Sequence, residues 1–265
     1  MIVLANILAI FRKELQGYFA SPLAYVLCAV FWLISGVFLT SILMGPNGIV
    51  QQVAFSEQRG IPVPALDVAA EFLRWFFGVM GTLVLFILPI LSMGLYTEER
   101  KRGTLELLAT SPISNWAVAV GKLLGVLTFF VTMLMPLMLW QAIAFSTANP
   151  PMSPTVPLLA HVGLILMAAA ILSLGMFISS LTDSTILAAF LTFALILFLW
   201  VTDLIAGSLT GWAGAILTYL SLLEHYDNFL EGILDPASVV VFVSYIFLGI
   251  FLTAQSIEAL RFQRS

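Results

Sequence analysis

Residues 97–114 read TEERKRGTLELLATSPIS, and they separate two long runs that contain almost no charge. The runs are Trp75–Tyr96 and Ala117–Phe145. A helix needs about 20 mainly apolar residues to cross the hydrocarbon core of a bilayer, and each run is long enough. In lipid the backbone must satisfy its own hydrogen bonds, so both runs are expected to be helical. This stretch therefore predicts two membrane-spanning helices joined by a charged loop.

The same pattern continues outward over the whole chain. Of its 265 residues, 61% are hydrophobic and only 9% are charged, whereas soluble domains carry about 25% charged residues. The ten-residue alternating segments of a membrane β-barrel do not appear. We predict one all-α integral membrane domain over residues 1–265, with six transmembrane helices. The four further spans are Leu23–Met44, Val156–Leu181, Ser184–Thr202 and Ala237–Ile257.

Basic residues divide unequally between the two sides of the membrane. With six spans, both termini lie on the side of the 97–114 loop, and that side holds eight of the ten lysines and arginines. The positive-inside rule therefore predicts cytoplasmic termini. The eight are Arg12, Lys13, Arg100, Lys101, Arg102, Lys122, Arg261 and Arg264, and the other two are Arg59 and Arg74.

Two segments outside the spans are also expected to be helical. Residues 1–20 carry apolar side chains at helical spacing, which indicates a helix lying in the cytoplasmic interface of the lipid bilayer; the alternative is an ordinary extension of the bundle. Residues 207–236 begin with a hydrophobic stretch interrupted by Gly211 and Gly214. They are expected to form short helices that dip into the outer leaflet and return. The alternative, a seventh span, would contradict the charge asymmetry.

The loop, placed at residues 97–116, begins with a charged cluster that is expected to leave span two for water. Gly103 is expected to break the helix and Thr104 to cap a new one of about two turns. Ser111 and Pro112 should end it, and Ser114 or Asn115 should cap span three. The charged cluster consists of Glu98, Glu99, Arg100, Lys101 and Arg102.

The apolar part of the loop is unusual for a solvated segment. Leu105, Leu107 and Leu108 lie next to a polar rim, which is typical of a surface that docks another protein. Glu106 would lie in the first turn, where the helix dipole favours a carboxylate. The alternative is a basic loop that only enforces topology.

Three stretches resemble one transporter family. Residues 98–112, EERKRGTLELLATSP, resemble the hallmark of ABC-2 type permeases, the membrane subunits of ATP-binding-cassette exporters. Gly121-Lys122-Leu123 resembles the family's usual GK at the start of the third span. Residues 219–235, YLSLLEHYDNFLEGILD, resemble the loop before the last span in the gliding-motility and nitrous-oxide-reductase-maturation branch.

The resemblance implies a permease subunit in a bacterial plasma (inner) membrane. It implies a working unit of two membrane subunits, as a homodimer or heterodimer, and two separate ATPase subunits. It also implies an N-terminal connecting helix and a coupling helix that docks on the ATPase. The implied docking residues are Thr104, Leu105, Glu106, Leu107, Leu108, Thr110, Ser111 and Pro112.

The substrate is not encoded in a recognisable motif, but the apolar spans favour a lipidic, amphiphilic or polymeric cargo. Lys122 is expected to snorkel to the cytoplasmic interface, and Asp183 and Asp203 lie at the ends of span five. The absence of midplane charge argues against an ion-coupled carrier. The alternative function is a non-transporting scaffold that passes force to a periplasmic or other outer-side partner.

Nucleotide chemistry is expected on another polypeptide. A phosphate-binding loop has the form GxxxxGK[ST], but here Leu123 follows Lys122, and Trp116 occupies the position of the first glycine. We therefore expect no enzymatic activity and no cofactor in this chain, with ATP and Mg²⁺ bound by the partner. Nothing in the mild net charge of -4 indicates a nucleic-acid partner.

The two histidines are expected to be interfacial or loop residues. His161 lies near the outer end of span four, and His225 lies in the acidic outer loop. Neither has a second histidine or a cysteine nearby with which to share a metal ion.

Overall fold

The computed structural model describes residues 2–46, 48–59, 68–105, 113–146, 153–208 and 211–262. Within these residues, six helices are long and apolar enough to cross a membrane, which confirms the six predicted spans and the all-α fold. Spans one to six are α2, α4 continued by α5, α6, α7, α8 and α11. In chain order the helices are α1 (Ile2–Ala20), α2 (Pro22–Met44), α3 (Ile49–Gln58), α4 (Val68–Ser92), α5 (Gly94–Lys101), α6 (Asn115–Ser146), α7 (Thr155–Leu181), α8 (Thr185–Ala206), α9 (Trp212–Leu220), α10 (Leu222–Leu230) and α11 (Pro236–Phe262).

Span four, α7, is the helix around which the others pack. It contacts α4, α5, α6, α8, α10 and α11. Its centre is rich in small residues, and Ala168 and Ala170 are fully buried. Small residues let helix backbones approach closely, which drives helix association in lipid. Spans one and five, in contrast, leave most of their apolar side chains uncovered.

Span six lies against span four at Gly249. A Cβ atom added at Gly249 would lie 2.5 Å from the carbonyl carbon of Ser173, closer than real Cβ contacts allow. The Ser173 hydroxyl is fully buried and lies 2.7 Å from the Ala170 carbonyl oxygen and 3.2 Å from that of Tyr245. The serine can therefore donate within its own helix or across to span six, and the missing side chain of Gly249 lets the two backbones come this close.

Replacing Gly249 by Ala is expected to lower the free energy of unfolding by about 1–3 kcal/mol, because the added methyl group forces α7 and α11 apart. In an uncrowded helix the same substitution would raise the free energy of unfolding by about 1 kcal/mol, because alanine is the better helix former. A decrease therefore identifies crowding between α7 and α11 as the cause. Gly36→Ala is the control, since a Cβ atom there meets nothing within 4 Å. Thermal unfolding of both variants in detergent measures the effect. An unchanged midpoint for Gly249→Ala would contradict the close approach.

Span two is interrupted at Met93, between α4 and α5. The Ser179 hydroxyl of α7 accepts hydrogen bonds from the amides of Tyr96 (2.9 Å) and Thr97 (3.2 Å), and it donates to the Met93 carbonyl (2.9 Å). One serine therefore replaces backbone partners that the interrupted helix loses. The helix then continues to Lys101, beyond the predicted end of span two at Tyr96.

Two short helices, α9 and α10, occupy the region predicted to hold short returning helices. They meet at Ser221, whose hydroxyl accepts from the Glu224 amide at 3.1 Å and donates to Asp203 at the end of span five. Each helix has nine residues, which corresponds to about 14 Å of length, too short to cross a bilayer. The alternative of a seventh span is therefore wrong for the described residues, and the depth of these helices in the membrane stays a prediction.

Both histidines are buried in helices, so the predicted loop position is wrong for His225, whereas the interfacial position of His161 near the outer end of span four stays a prediction. His225 belongs to α10, where Nε2 lies 2.8 Å from the Tyr219 carbonyl and Nδ1 lies 2.9 Å from the Ser238 hydroxyl. His161 belongs to α7 and packs edge-on against Phe77. His161 is covered because α4 and α10 pack against α7, and His225 is covered because Tyr219 and Ser238 contact its ring.

Asp227 on α10 has a pKa above its usual value. Burial is the main cause, and the negative charges of Glu224, Asp203 and Glu231 add to it, while Arg74 opposes it. A raised carboxyl pKa means that the folded protein favours the protonated form. The stability that comes from this preference for the protonated Asp227 is complete below the unfolded-state pKa. It is lost as the pH rises through the folded-state pKa.

Asp227→Asn is therefore expected to raise the thermal midpoint at neutral pH, because it removes a carboxylate that the folded state disfavours. The gain should shrink as the pH is lowered through the raised folded-state pKa of Asp227 and should be lost below about 4, where the carboxyl group is protonated in the unfolded state as well. Thermal unfolding of the purified protein over this pH range measures it. A gain that is independent of pH would contradict the electrostatic explanation.

Candidate functional site

The charged helix α5 ends in a tight turn at Gly103. Gly103 has a φ of +68°, in the left-handed region that glycine adopts without a steric penalty, and this confirms that it breaks the helix. The Thr104 amide donates to the Glu99 carbonyl at 2.9 Å, and the Gly103 amide donates to the Arg100 carbonyl at 3.1 Å. This pair of bonds is a Schellman motif. The helix that Thr104 was predicted to cap lies outside the described residues.

Leu105 follows this turn and is buried, with 3% of its surface exposed. The prediction of an exposed docking side chain is wrong for Leu105, because the turn at Gly103 brings the chain back to the bundle, where Leu105 joins the main apolar core. At the other end of the loop, Ile113 packs against the same core. The Ser114 hydroxyl accepts from the Ala117 amide at 3.3 Å, which confirms the predicted cap of span three.

Thr104 is exposed, the other six predicted docking residues lie outside the described part of the chain, and the docking role of all seven stays a prediction. Both flanks of this segment are attached to the core, through Leu105 and Ile113. Any force on the segment therefore reaches the bundle at two fixed points. The six residues are Glu106, Leu107, Leu108, Thr110, Ser111 and Pro112.

Four residues of the charged cluster lie at or near the surface of the bundle, three of them exposed and one hydrogen-bonded to the end of span four. Glu98, Lys101 and Arg102 are exposed, as predicted. Arg102 Nη2 lies 3.5 Å from Glu98 Oε2, a surface pair that contributes little stability. Arg100 Nη1 donates to the Ser180 carbonyl at 2.6 Å, near the negative end of the α7 dipole. The Arg100 bond attaches α5 to span four.

Glu99 differs from its neighbours, because it turns inward and meets Lys122. The Lys122 side chain is only 2% exposed, and its Nζ lies 2.9 Å from Glu14 Oε1 and 3.0 Å from Glu99 Oε1. The same nitrogen donates to the Leu95 carbonyl at 2.7 Å and lies 4.9 Å from the centre of the Tyr96 ring. The ammonium group thus uses all three of its donors. Lys122 was expected to snorkel toward water; its ammonium group is instead covered by α1, so it does not reach solvent.

Lys13 supplies a second positive charge, with Nζ 2.9 Å from Glu99 Oε1 and 3.4 Å from Glu14 Oε1. We call Lys13, Glu14, Glu99 and Lys122 the ionic junction. Burial alone would lower the pKa of Lys13, but the hydrogen bond and charge of Glu99, with those of Glu14, outweigh it and raise the pKa above 10.5. The Lys13 charge therefore makes its full contribution to the stability of the fold at neutral pH, and this contribution is lost as the pH rises through the folded-state pKa of Lys13.

Two glycines of span three explain how α1 reaches Lys122. A Cβ atom at Gly121 would lie 2.8 Å from Ile10 Cβ, and one at Gly125 would lie 2.7 Å from Glu14 Cβ. The missing side chains let α1 lie directly on α6 and carry the Glu14 carboxylate over Lys122. Glycines four residues apart are typical of close helix contacts in membranes. This spacing is the signal in the sequence that could have predicted the contact.

Among the described residues, two polar atoms in or next to the ionic junction have no hydrogen-bond partner, Glu99 Oε2 and Tyr96 Oη. Such atoms cost about 1–3 kcal/mol each when buried. The junction is therefore balanced in charge but incompletely hydrogen-bonded, and Glu99 keeps a free oxygen with which to exchange partners. The arrangement can transmit a displacement of one helix to the other two, because the Lys122 ammonium group joins α5, α1 and α6.

These features define a multi-pass helical membrane protein with a loop anchored at both ends to its bundle. A family model described as ABC-2 family transporter protein matches residues 8–248. The chain therefore belongs to the ABC-2 transporter family, and it is of the permease class, the membrane component and not the ATPase. Membership implies an ABC ATPase partner and dimerisation. A comparison with curated proteins gives no significant match.

Proposed function

We propose that the chain forms half of an export pathway in which a separate ATPase docks on residues 104–112. Leu107 and Leu108 supply the apolar docking surface. Leu105 and Ile113, which are packed on the core, pass the movement of this segment to the bundle when the ATPase subunits bind ATP and close together. ATP and Mg²⁺ are bound by the partner.

The ionic junction is the observation that carries this proposal. Helix α5 leads directly into the loop, and Glu99 on α5 shares the buried Lys122 ammonium with Glu14 on α1. A displacement of α5 is therefore passed to α1 and span three instead of being absorbed by solvent. A loop that only enforced topology would need no such connection.

We place the second permease subunit, identical or different, against spans one, two and five. Two observations support this. The apolar side chains of Leu33 on α2 and Phe190 on α8 are 67% and 69% exposed. A crevice of about 610 Å³ between α2 and α4, lined by Phe38, Trp75 and Val79, also lies open on this side. Apolar faces of this kind are covered either by lipid or by a partner subunit.

We further place the protein in a bacterial inner membrane with cytoplasmic termini, since eight of its ten basic residues lie on the side of the loop. The cargo is lipidic, amphiphilic or polymeric, in keeping with the scarcity of charge in the spans. We propose that the chain belongs to the gliding-motility and nitrous-oxide-reductase-maturation branch, a proposal supported by the likeness of residues 219–235 to that branch. These residues form the end of α9, all of α10 and the turn that follows.

Reconstitution tests the proposal. The chain and its ATPase, purified together and placed in vesicles, are expected to move a fluorescent amphiphile in an ATP-dependent manner. A variant of the ATPase that lacks its phosphate-binding lysine is the control and should show no movement. ATP turnover without any flux would contradict export and would favour the alternative, a scaffold that transmits force to an outer-side partner.

A further inference from the structure

A second site lies at the end of the bundle away from the loop, in a crevice between α6 and α7. Its volume is about 380 Å³, within the range of roughly 300–1,000 Å³ that is typical of ligand pockets. Gln141 and Phe145 line it from α6, and Pro157, Leu158 and His161 line it from α7. None of the described residues that line it is acidic or basic apart from the histidine. The site is therefore apolar, uncharged and bordered by two membrane spans.

Gln141 is the anomaly in this crevice. It is 1% exposed, and neither its Nε2 nor its Oε1 has a hydrogen-bond partner among the described residues. Buried polar groups are nearly always paired, so an amide with both ends unpaired requires an explanation. The terminal torsion of glutamine is broad, so the amide can turn toward the crevice without a backbone movement. A polar group that enters the crevice can then complete its hydrogen bonds.

His161 adds a second polar group with a defined role. Its Nδ1 lies 2.8 Å from the Pro157 carbonyl oxygen. A carbonyl oxygen only accepts, so Nδ1 carries the proton, and Nε2 of the neutral ring is an acceptor. Phe77 packs edge-on against the ring at 4.8 Å between centroids and holds its orientation. The crevice thus offers one amide, which both donates and accepts, and one imidazole acceptor.

We propose that this crevice binds a neutral, hydroxyl-bearing amphiphile taken from the surrounding bilayer. The hydroxyl group accepts from the Gln141 amide nitrogen and donates to the Gln141 oxygen or to His161, and the hydrocarbon chain lies along Phe145 and Leu158. A charged headgroup does not fit, because none of the described lining residues is an acid, a lysine or an arginine that could balance its charge. Leu158 is 55% exposed and lies on a spanning helix, which gives lipid access to the site. The proposal is independent of the proposed function.

Photolabelling of the purified full-length protein in detergent tests the proposal. The probe is a long-chain monoacylglycerol that carries a diazirine in its chain, and its partner probe is the same molecule with both hydroxyl groups methylated. The hydroxyl probe is expected to label the peptides that contain residues 138–161 about tenfold more strongly than the methylated probe at equal concentration. Tenfold corresponds to about 1.4 kcal/mol, the scale of one to two net hydrogen bonds.

Gln141→Leu keeps the size of the side chain and removes the amide. It is expected to reduce labelling by the hydroxyl probe to the level of the methylated probe. Gln255→Leu is the matched control, because Gln255 lies exposed on α11, and it should label as the wild type does. Equal labelling of the wild type by both probes would mean that only water satisfies Gln141 and would overturn the proposal. So would undiminished labelling of Gln141→Leu, and the wild-type comparison holds even if that variant folds poorly.

Discussion

Replacing Lys122 by Met is expected to lower the free energy of unfolding by about 3–5 kcal/mol, the range found when one partner of a buried ion pair is removed. Methionine keeps most of the length and volume of the side chain. The loss arises because Glu14 and Glu99 would remain buried with only Lys13 to balance them. Thermal unfolding and the yield of monodisperse protein after detergent extraction measure the effect.

Two comparisons identify the ionic junction as the cause. Lys101→Met makes the same change at an exposed position of α5 and should leave stability unchanged. The double variant Glu14→Gln with Lys122→Met leaves Lys13 and Glu99 as a balanced pair and should recover most of the loss. If Lys122→Met were as stable as Lys101→Met, the ionic junction would not stabilise the fold. That result would contradict our proposal that the junction transmits movement from α5 to α1 and span three.

The spans and the breaks between them could be predicted from the sequence because they depend on local features. Length and lack of charge identify a helix in lipid, and a single residue decides where one ends. Gly103 is the clearest case, since a glycine directly after a charged helix predicts the helix break that the structure has there. Ser114 caps span three for the same local reason.

The ionic junction could not be predicted because it depends on which helices meet. Lys122 near the end of a span normally reaches toward water, and only the packing of α1 on α6 reverses this. That packing joins residues more than one hundred positions apart, Glu14 and Lys122. The same reasoning applies to Leu105, because an apolar residue in a charged loop has the same local pattern whether it faces another protein or its own bundle.

The second prediction concerns docking of the ATPase. Because Leu105 is buried, the substitutions that test docking are placed at Leu107 and Leu108. Replacing Leu107 and Leu108 together by Asp is expected to lower affinity for the ATPase by more than tenfold, because central apolar contacts of an interface contribute about 2 kcal/mol or more. The fold should be retained, since the described attachment points of the loop, Leu105 and Ile113, are unchanged. Co-purification of the ATPase with the affinity-tagged chain measures the effect.

Leu105→Asp is the comparison that separates docking from folding. Its side chain is 3% exposed, so an aspartate there is expected to be destabilising, with a lower thermal midpoint and a lower yield before any ATPase is added. The paired change at Leu107 and Leu108 should show the opposite profile, with normal stability and lost association. If the ATPase still co-purified with that variant at the wild-type ratio, the docking surface would lie elsewhere on the cytoplasmic face, and the loop would keep only its topological role.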